Sequence, residues 1–412
     1  MWRARPAALR VELYGVDAFR LPAYRRIVSP ARKKVVVAMS GGVDSSVAAA
    51  LLCRDGYDLI GVFMRLGSPQ GVEALEENVS CGSSGKNRQG CCSVLDAADA
   101  RRVAGMLGIP FYVLNFEQDF GRVIDYFVSE YNRGFTPNPC VRCNDWLKFG
   151  KLADYARAVG ADFVASGHYA RVGFDRPGGR KRLLRGRDHR KDQSYVLFGM
   201  SREALEHTLL PIGEFEKHEV RQIAEDLKLP VFNKPDSQEI CFVPNNDYAG
   251  LVRRRTPEAF RDGDVVTTGG TVVGRHEGHQ HFTIGQRKGL RIAAAHPLYV
   301  IDIDAQANRV IVGEQSDLAK RSLVARQINL LDERLGLDSG PLSCQAKIRY
   351  NHSPQPAVAR LTGEDELTVE FDSPQSAITP GQAVVLYDGD VVIGGGWIER
   401  AGNDEIGMTS GE

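Results

Sequence analysis

Three groups of residues in this chain are able to do chemistry. The first is Ser40-Gly41-Gly42-Val43-Asp44-Ser45, directly after the apolar run Val35-Val36-Val37-Ala38-Met39. Glycines let backbone amides approach an anion, and a helix starting at such a loop adds partial positive charge, so the segment suits phosphate. The chain has no G-x-x-x-x-G-K-[ST], which separates it from the loop of enzymes that cleave at a γ-phosphate. The second group is Thr136-Pro137-Asn138-Pro139-Cys140-Val141-Arg142-Cys143-Asn144. Its C-x-x-C has three readings: half of a metal site, a redox dithiol, or a sulfur-handling nucleophile. Cys91-Cys92 is poorly spaced to supply the second half of a zinc site. The third group, Pro235-Asp236-Ser237-Gln238-Glu239-Ile240-Cys241-Phe242, carries one thiol that would be read in isolation as buried.

The elements that position these groups follow from periodicity. The run Lys34–Met39, the Ser-Gly-Gly turn and the helically spaced apolar residues from Val47 predict strand, loop and helix. Further strands are expected at Leu59–Met64, Phe111–Asn115 and Phe163–Ser166, with helices at Ser93–Gly108 and Leu147–Val159. This alternation predicts an α/β parallel sheet covered on both faces. Residues 67–90 are rich in Gly, Ser and Asn and read as a mobile surface loop. Arg171–Lys191 holds nine Lys or Arg and two Asp around Pro177-Gly178-Gly179, a charged hairpin suited to RNA phosphates. From about Asn245 short β segments take over, and beyond Ser322 the pattern is all-β, with a hairpin at Asp388-Gly389. The expected organisation is a basic extension (1–32), a catalytic domain (33–244), a connector (245–322), a β-barrel (323–400) and a tail (401–412).

Composition bounds the rest. The 412 residues are 43% hydrophobic and 25% charged, as in ordinary globular proteins. No apolar run nears the ~20 residues of a membrane-spanning helix, so no membrane partner is expected. Net charge is zero, but residues 1–34 carry nine basic and two acidic side chains. The bland reading of that arm is a poorly ordered extension, which places the protein in the cytoplasm; a transit peptide would place it in mitochondria. The eight cysteines need no disulfide framework in a chain of this size. Cys53 and Cys344 read as core residues. His276, His279 and His281 match no standard zinc spacing and read as structural.

The Ser-Gly-Gly-x-Asp-Ser loop resembles that of enzymes that split ATP between the α and β phosphates. With it, in order, stand Asn138-Pro139 and Cys143-Asn144, Ser166-Gly167-His168-Tyr169, Lys191-Asp192-Gln193-Ser194-Tyr195, Asp236–Phe242, Thr283–Leu290 and Arg349-Tyr350. The ordered set, from about Lys33 to Ile398, resembles the tRNA-specific 2-thiouridylase family. The resemblance implies an adenine nucleotide α-hydrolase-like sheet, a small connector and a C-terminal β-barrel. It implies ATP, with Mg2+, on Ala38, Met39, Ser40, Gly41, Gly42, Val43, Asp44, Ser45, Met64 and Gly167. It implies a persulfide on Cys241, with Cys143 as the nucleophile that closes a Cys143–Cys241 disulfide. Asn138, Pro139 and Cys140 would meet the target base. His168, Lys191, Asp192, Gln193, Arg349, Tyr350 and Gln382 would contact tRNA. The sulfur would come from a persulfide donor, either a sulfur relay protein or a cysteine desulfurase.

Two departures from the family pattern appear. Ala38 stands where many members have Gly, a small change. Cys140 stands where many have Asp, so that Cys140, Cys143 and Cys241 together offer three ligands for a [4Fe–4S] cluster. That route would make the thiols ligands instead of a redox pair. Arg142 is the candidate source of positive charge for thiolate formation. Rival functions are an adenylating, amide-forming ligase, which needs neither Cys143 nor Cys241, and a nonenzymatic RNA- or metal-binding module.

Overall fold

The computed structural model describes residues 32–67, 94–176, 178–236 and 240–402. The expected basic extension, the loop at 67–90 and the C-terminal tail lie outside these residues except at their margins, as do Cys81, Cys91 and Cys92.

β1 (Lys34–Ala38) is apolar from Val35 onward because both of its faces are covered. Side chains alternate along a strand. Val35 and Val37 therefore pack with Val47, Leu51 and Leu52 of α1 (Val43–Arg54), while Val36 packs with a second cluster on the other face. β2 (Asp58–Arg65) follows. α2 (Val94–Leu107) covers the first face, β3 (Phe111–Asn115) extends the sheet, and α3 (Glu117–Asn132) gives Phe120 and Phe127 to the second face. α4 (Pro139–Arg142) runs into a π-helical segment, Cys143–Lys151, and then α5 (Leu152–Ala158). The helix expected at Leu147–Val159 thus begins eight residues earlier, on Pro139, whose fixed φ and missing N–H suit a first helical position. After β4 (Phe163–Ala165) the chain leaves the sheet for a hairpin, β5 (Ala170–Phe174) and β6 (Lys181–Arg185). It returns through α6 (Arg202–Glu206) to β7 (Thr208–Leu209) and α7 (Lys217–Asp226). The sheet is parallel, in the order β3-β2-β1-β4-β7. The direction of winding reverses between β1 and β4, so the loops leaving those two strands meet at one switch point.

α8 (Tyr248–Arg255) lies past the expected boundary at 244, yet Leu251 and Val252 are fully buried against α3. The connector is a four-stranded sheet of β8 (Gly263–Thr267), β9 (Val272–His276), β10 (Tyr299–Asp304) and β11 (Arg309–Gly313), ordered β10-β11-β8-β9. His276 and His279 are buried there and hydrogen-bonded to protein groups.

β12 (Ala319–Leu330), β13 (Leu342–Lys347), β14 (Gln355–Gly363), β15 (Glu366–Ser376), β16 (Ala383–Asp388) and β17 (Val391–Gly402) form the antiparallel barrel, closed by β12 pairing with β17. β14 shows the expected alternation: Ala357 and Ala359 point in and are buried, Val358 and Arg360 point out. β16 is buried on both faces. Val384 and Leu386 fill the barrel, while Ala383, Val385 and Tyr387 pack on Val141, Phe149, Tyr195 and Phe198 of the catalytic domain.

The charged hairpin is built into a domain junction. It forms as predicted, with Arg171 opposite Leu184, but β6 then pairs with β17, joining the hairpin to the barrel. Its basic side chains are committed to this junction: Arg171 to Asp390 (2.5 Å), Arg180 to Glu333, Arg182 to Asp332, and Arg185 to Asp192 (3.4 Å). Three of the nine basic residues thus meet barrel carboxylates far away in sequence.

Asp332 is the buried member of this junction, bonded by Arg182 and by Arg334 Nη2 at 2.9 Å. Removing it takes the acceptor from Arg182 and one of two from Arg334, which keeps Asp388. Asp332→Ala is expected to cost about 2 kcal/mol of stability, measured by urea unfolding.

Candidate active site

The loop after β1 is built by its own side chains and by backbone contact. The Ser40 N–H donates to Ser45 Oγ (3.1 Å), and Ser46 Oγ donates to the Gly42 carbonyl (2.7 Å). Gly41 has φ +71°, and a Cβ there would lie 2.2 Å from the Asp96 carbonyl oxygen. Gly167, on the loop after β4, packs bare against the start of α1: its Cβ would lie 2.6 Å from Ser45 N. At Gly167 the two loops that meet at the switch point therefore touch backbone to backbone. Met39 is buried, and Met64 sits half-buried at the end of β2 against the second core cluster.

Cations ring this cradle. Lys217 Nζ donates to both oxygens of Asp44 (2.8 and 2.9 Å) and lies 2.8 Å from Asp236 Oδ1. Tyr169 OH also donates to Asp44 Oδ1 (2.8 Å). Asp236 is shared with Arg221 (2.9 Å) and Lys191 (2.9 Å). Lys234 Nζ donates to the Gly41 carbonyl (2.9 Å), Asp96 Oδ1 (2.6 Å) and Asp99 Oδ2 (2.8 Å). Burial pushes the Asp236 carboxyl up, but Lys217 and Lys191 outweigh it and hold it at about 2. The chemistry on offer is binding of a polyanion between glycine amides and ammonium groups. Sequence reading missed Lys217, Arg221, Lys234, Asp96 and Asp99, which are single charges on helices and loops with no motif of their own. Asp236, at the head of the Cys241 segment, was the one available signal.

The second group of residues hangs from the barrel. The Thr136 N–H donates to the Pro380 carbonyl (2.9 Å), and Gln382 Nε2 donates to the carbonyls of Thr136 (2.8 Å) and Pro137 (3.3 Å). Asn138 and Pro139 follow, half-buried and buried, then Cys140, exposed on the first turn of α4. Cys143 begins the π-helical segment; such segments are rare and concentrate at functional sites. Cys143 and Cys241 are both half-buried against one apolar cluster, with Phe120, Phe127, Leu147 and Phe242.

Cys140 lies toward Tyr350 of the barrel. Burial raises the Tyr350 hydroxyl to about 12, and the charges of Asp192 and Cys140 add to it. Among the described residues no three Cys, His, Asp or Glu side chains are placed to hold a metal ion. The three-thiol iron set of Cys140, Cys143 and Cys241 is therefore not assembled in this conformation.

Arg142, the candidate source of positive charge for the thiols, is held among aromatic rings and by the barrel. Its guanidinium lies 4.0 Å from the Trp397 ring, with Tyr126 at 5.1 Å and Trp146 at 5.2 Å, and it donates to Gln327 Oε1. The charge is committed to aromatic faces and to the barrel.

The residues expected at tRNA divide into outer and inner ones. Lys191, Gln193 and Arg349 are half-buried, and Tyr350 is exposed. Asp192 is buried and accepts from Gly186 N (3.0 Å), Ser194 N (3.1 Å) and Ser194 Oγ (3.0 Å), so it is a turn former and no surface contact. His168 is buried too, 3.3 Å from Lys148 Nζ and 2.7 Å from Ser166 Oγ. An ammonium has only donors, so His168 Nε2 must accept from Lys148, and Nδ1–H donates to Ser166. Burial, then the charge of Lys148, keeps the ring neutral. In this conformation His168 and Gln382 touch protein, because their polar atoms are used to hold neighbouring segments.

Comparison with known proteins places this geometry. The chain matches the model of a tRNA methyl transferase HUP domain over residues 33–245, a tRNA methyl transferase PRC-barrel domain over 251–314 and an aminomethyltransferase beta-barrel domain over 320–398. It is 48% identical over 370 residues to a protein of Clostridioides difficile (strain 630), covering 90% of this chain and 99% of that one. It is 48% identical over 372 residues to a protein of Carboxydothermus hydrogenoformans, covering 90% and 98%. It is 49% identical over 388 residues to one of Rhodopirellula baltica, covering 89% and 96%. All three are named tRNA-specific 2-thiouridylase MnmA.

Two outcomes test the cradle. Gly167→Ala forces a methyl into the backbone of Asp44 and Ser45, and is expected to weaken ATP binding at least about tenfold, or ~1.4 kcal/mol, by calorimetry. The depressed Asp236 carboxyl contributes stability above its unfolded pKa of about 4, and that contribution is lost as pH falls through about 2. The stability gap between the parent chain and Asp236→Asn should therefore be full at pH 6 and shrink between pH 4 and pH 2 in chemical denaturation.

Proposed function

Because the chain belongs to the tRNA-specific 2-thiouridylase family, we propose that it is an ATP-dependent tRNA-uridine 2-sulfurtransferase that converts the wobble uridine of tRNA to 2-thiouridine. The observation that carries the reading is the likeness to named thiouridylases along nine-tenths of the chain, with the anion loop and both candidate thiols present. The matched domain models carry methyl-transfer names. Methyl transfer has no use for a polyphosphate cradle beside two thiols on one core cluster, whereas thiolation uses both.

The C2 oxygen of uracil belongs to a urea-like carbonyl and is a poor leaving group. Adenylation makes it one. ATP enters as its magnesium complex, and Ser40–Ser45 and Gly167 bring backbone amides to its phosphates, with Lys217 and Lys234 close by to neutralise the pyrophosphate that leaves. Gly41, with φ +71° and its Cβ position taken by the Asp96 backbone, lets the loop adopt this shape.

Sulfur arrives as a persulfide on Cys241. Its terminal sulfur attacks C2 and expels AMP, leaving C2–S–S–Cys241. The Cys143 thiolate then attacks the Cys241 sulfur, forming a Cys143–Cys241 disulfide and releasing the 2-thiouridine thiolate. Two electrons from a thiol reductant restore both thiols for the next turnover. The shared burial of Cys143 and Cys241 against one cluster supports this pairing. That no three Cys, His, Asp or Glu side chains among the described residues are grouped to hold a metal ion supports the disulfide route over an iron–sulfur one.

The target base must leave its stack to reach Asn138, Pro139 and Cys140. Lys191, Gln193, Arg349 and Tyr350 form the face that meets the tRNA, and His168, Asp192 and Gln382 support it from within. The sulfur source is a persulfide donor, a relay protein or a cysteine desulfurase, and the reaction belongs in the cytoplasm. No helix among the described residues is long and apolar enough to cross a membrane.

Single-turnover thiolation of unmodified tRNA, with ATP and a persulfide donor, tests the reading in iron-free and iron-reconstituted protein. The expected result is 2-thiouridine in both arms, lost in Cys143→Ala and Cys241→Ala while pyrophosphate release persists. Product only with iron would assign the cysteines to a cluster. ATP turnover without any thiolated product, insensitive to both substitutions, would favour an amide-forming ligase.

A further inference from the structure

We propose that Arg142 is a positioning residue through which the C-terminal barrel sets the orientation of the Cys140–Cys143 turn for sulfur transfer. The inference rests on the thiol roles given above.

Arg142 is one of the two residues between the cysteines and the last of α4, immediately before the π-helical segment opens at Cys143. Its guanidinium is sandwiched among three rings: Tyr126 of α3, Trp146 one turn on, and Trp397 of β17 at 4.0 Å. Trp397 also contacts Tyr126 edge-on, with centroids 5.7 Å apart, so the cage is closed across the domain boundary. The hydrogen bond from Arg142 Nη2 goes to Gln327 of β12. Both barrel partners lie on the two strands that close the barrel.

Two local costs converge on this one contact. Gln327 adopts φ +51°, a left-handed conformation unfavourable for a residue with a Cβ, and it sits where the β12–β17 register shifts between Arg326 and Asn329. The bulge takes Gln327 out of the ladder and turns it to Arg142. On the other side, Arg142 Nε is buried with no hydrogen-bond partner. A site needed only for adhesion could be filled by apolar side chains without either penalty; strain and unsatisfied polar atoms persist where geometry is over-determined for function. Arginine is specific here, because only a planar guanidinium can stack on Trp397 and reach Gln327 at once.

The upstream end of the same turn is tied to the barrel as well, through Pro380 and Gln382. A Cβ on Gly381 would lie 3.0 Å from Thr136 N. The segment from Thr136 to Cys143 is thus gripped at both ends by the barrel, and its cysteines can be no better placed than the barrel is.

The experiment separates the half-reactions in the full chain. For Arg142→Lys, Gln327→Ala and the pair Arg142→Lys/Gln327→Glu, it measures single-turnover thiolation, pyrophosphate release and KM for tRNA. Misplacing a reacting group by about 1 Å costs up to roughly a hundredfold. Arg142→Lys is expected to slow thiolation by about ten- to a hundredfold, with pyrophosphate release and KM within about twofold. Gln327→Ala should slow the same step. Adding Gln327→Glu to the Arg142→Lys variant should restore part of the loss, by offering the shorter ammonium side chain a carboxylate. Unchanged thiolation overturns the inference, as does a parallel fall in pyrophosphate release, which would mark Arg142 as a general structural tie. A parent chain that makes no 2-thiouridine would instead overturn the functional reading itself.

Discussion

β16 is buried on both faces, and the rest of the site depends on that. A barrel strand ordinarily shows one face to its core and the other to water. Here the outward residues Ala383, Val385 and Tyr387 are fully buried against the catalytic domain. Burial of that much apolar surface, at about 25 cal/mol per Å2, is non-directional and sets only that the two domains stay together. Direction comes from polar ties through the seam: Tyr195 OH to the Ala383 carbonyl (2.9 Å), Ser194 Oγ with Tyr387 OH (3.2 Å), and the hairpin strand β6 laid on β17. The apolar seam gives adhesion, and the polar ties give register.

The thiol turn inherits its position from that seam. Held at Pro380 and Gln382 on one side and at Trp397 and Gln327 on the other, it belongs to the catalytic domain by chain connection and to the barrel by contact. The nucleotide loop is different, since every group that shapes it comes from the catalytic domain. ATP binding is therefore built on the α/β unit alone, whereas the turn that carries Cys140 and Cys143 lies at the junction of two domains. Such a division lets the second step respond to how a large substrate settles across both.

Charge balance follows the same logic. The cradle carries Lys217 and Lys234, each already matched to carboxylates at 2.6–2.9 Å. Partly buried ammonium groups without partners would be costly to desolvate. Pairing with Asp44, Asp236, Asp96 and Asp99 keeps the cations beside the loop until an anion arrives.

The sequence by itself determined the strand–loop–helix at Val35–Leu52, the alternation that makes the parallel sheet, the switch to β structure after Asn245 and the identity of the loop and thiol motifs. Each is encoded locally, by hydrophobic period or by residues in one stretch. Tertiary structure alone decided where charge is free to act. The nine basic residues of the hairpin are indistinguishable in sequence from an RNA-binding stripe, but three of them, Arg171, Arg180 and Arg182, find counter-ions at Asp390, Glu333 and Asp332, which arrive from the barrel. Arg142 beside two cysteines gives no local sign of its partners, Trp397 and Gln327, which arrive from the barrel. His168 and Asp192 carry motif positions and turn inward. Lys217 and Lys234 carry no motif and reach the loop. Coulombic and stacking partners are selected by distance in space, and a distance between residues two hundred positions apart is written in no local pattern.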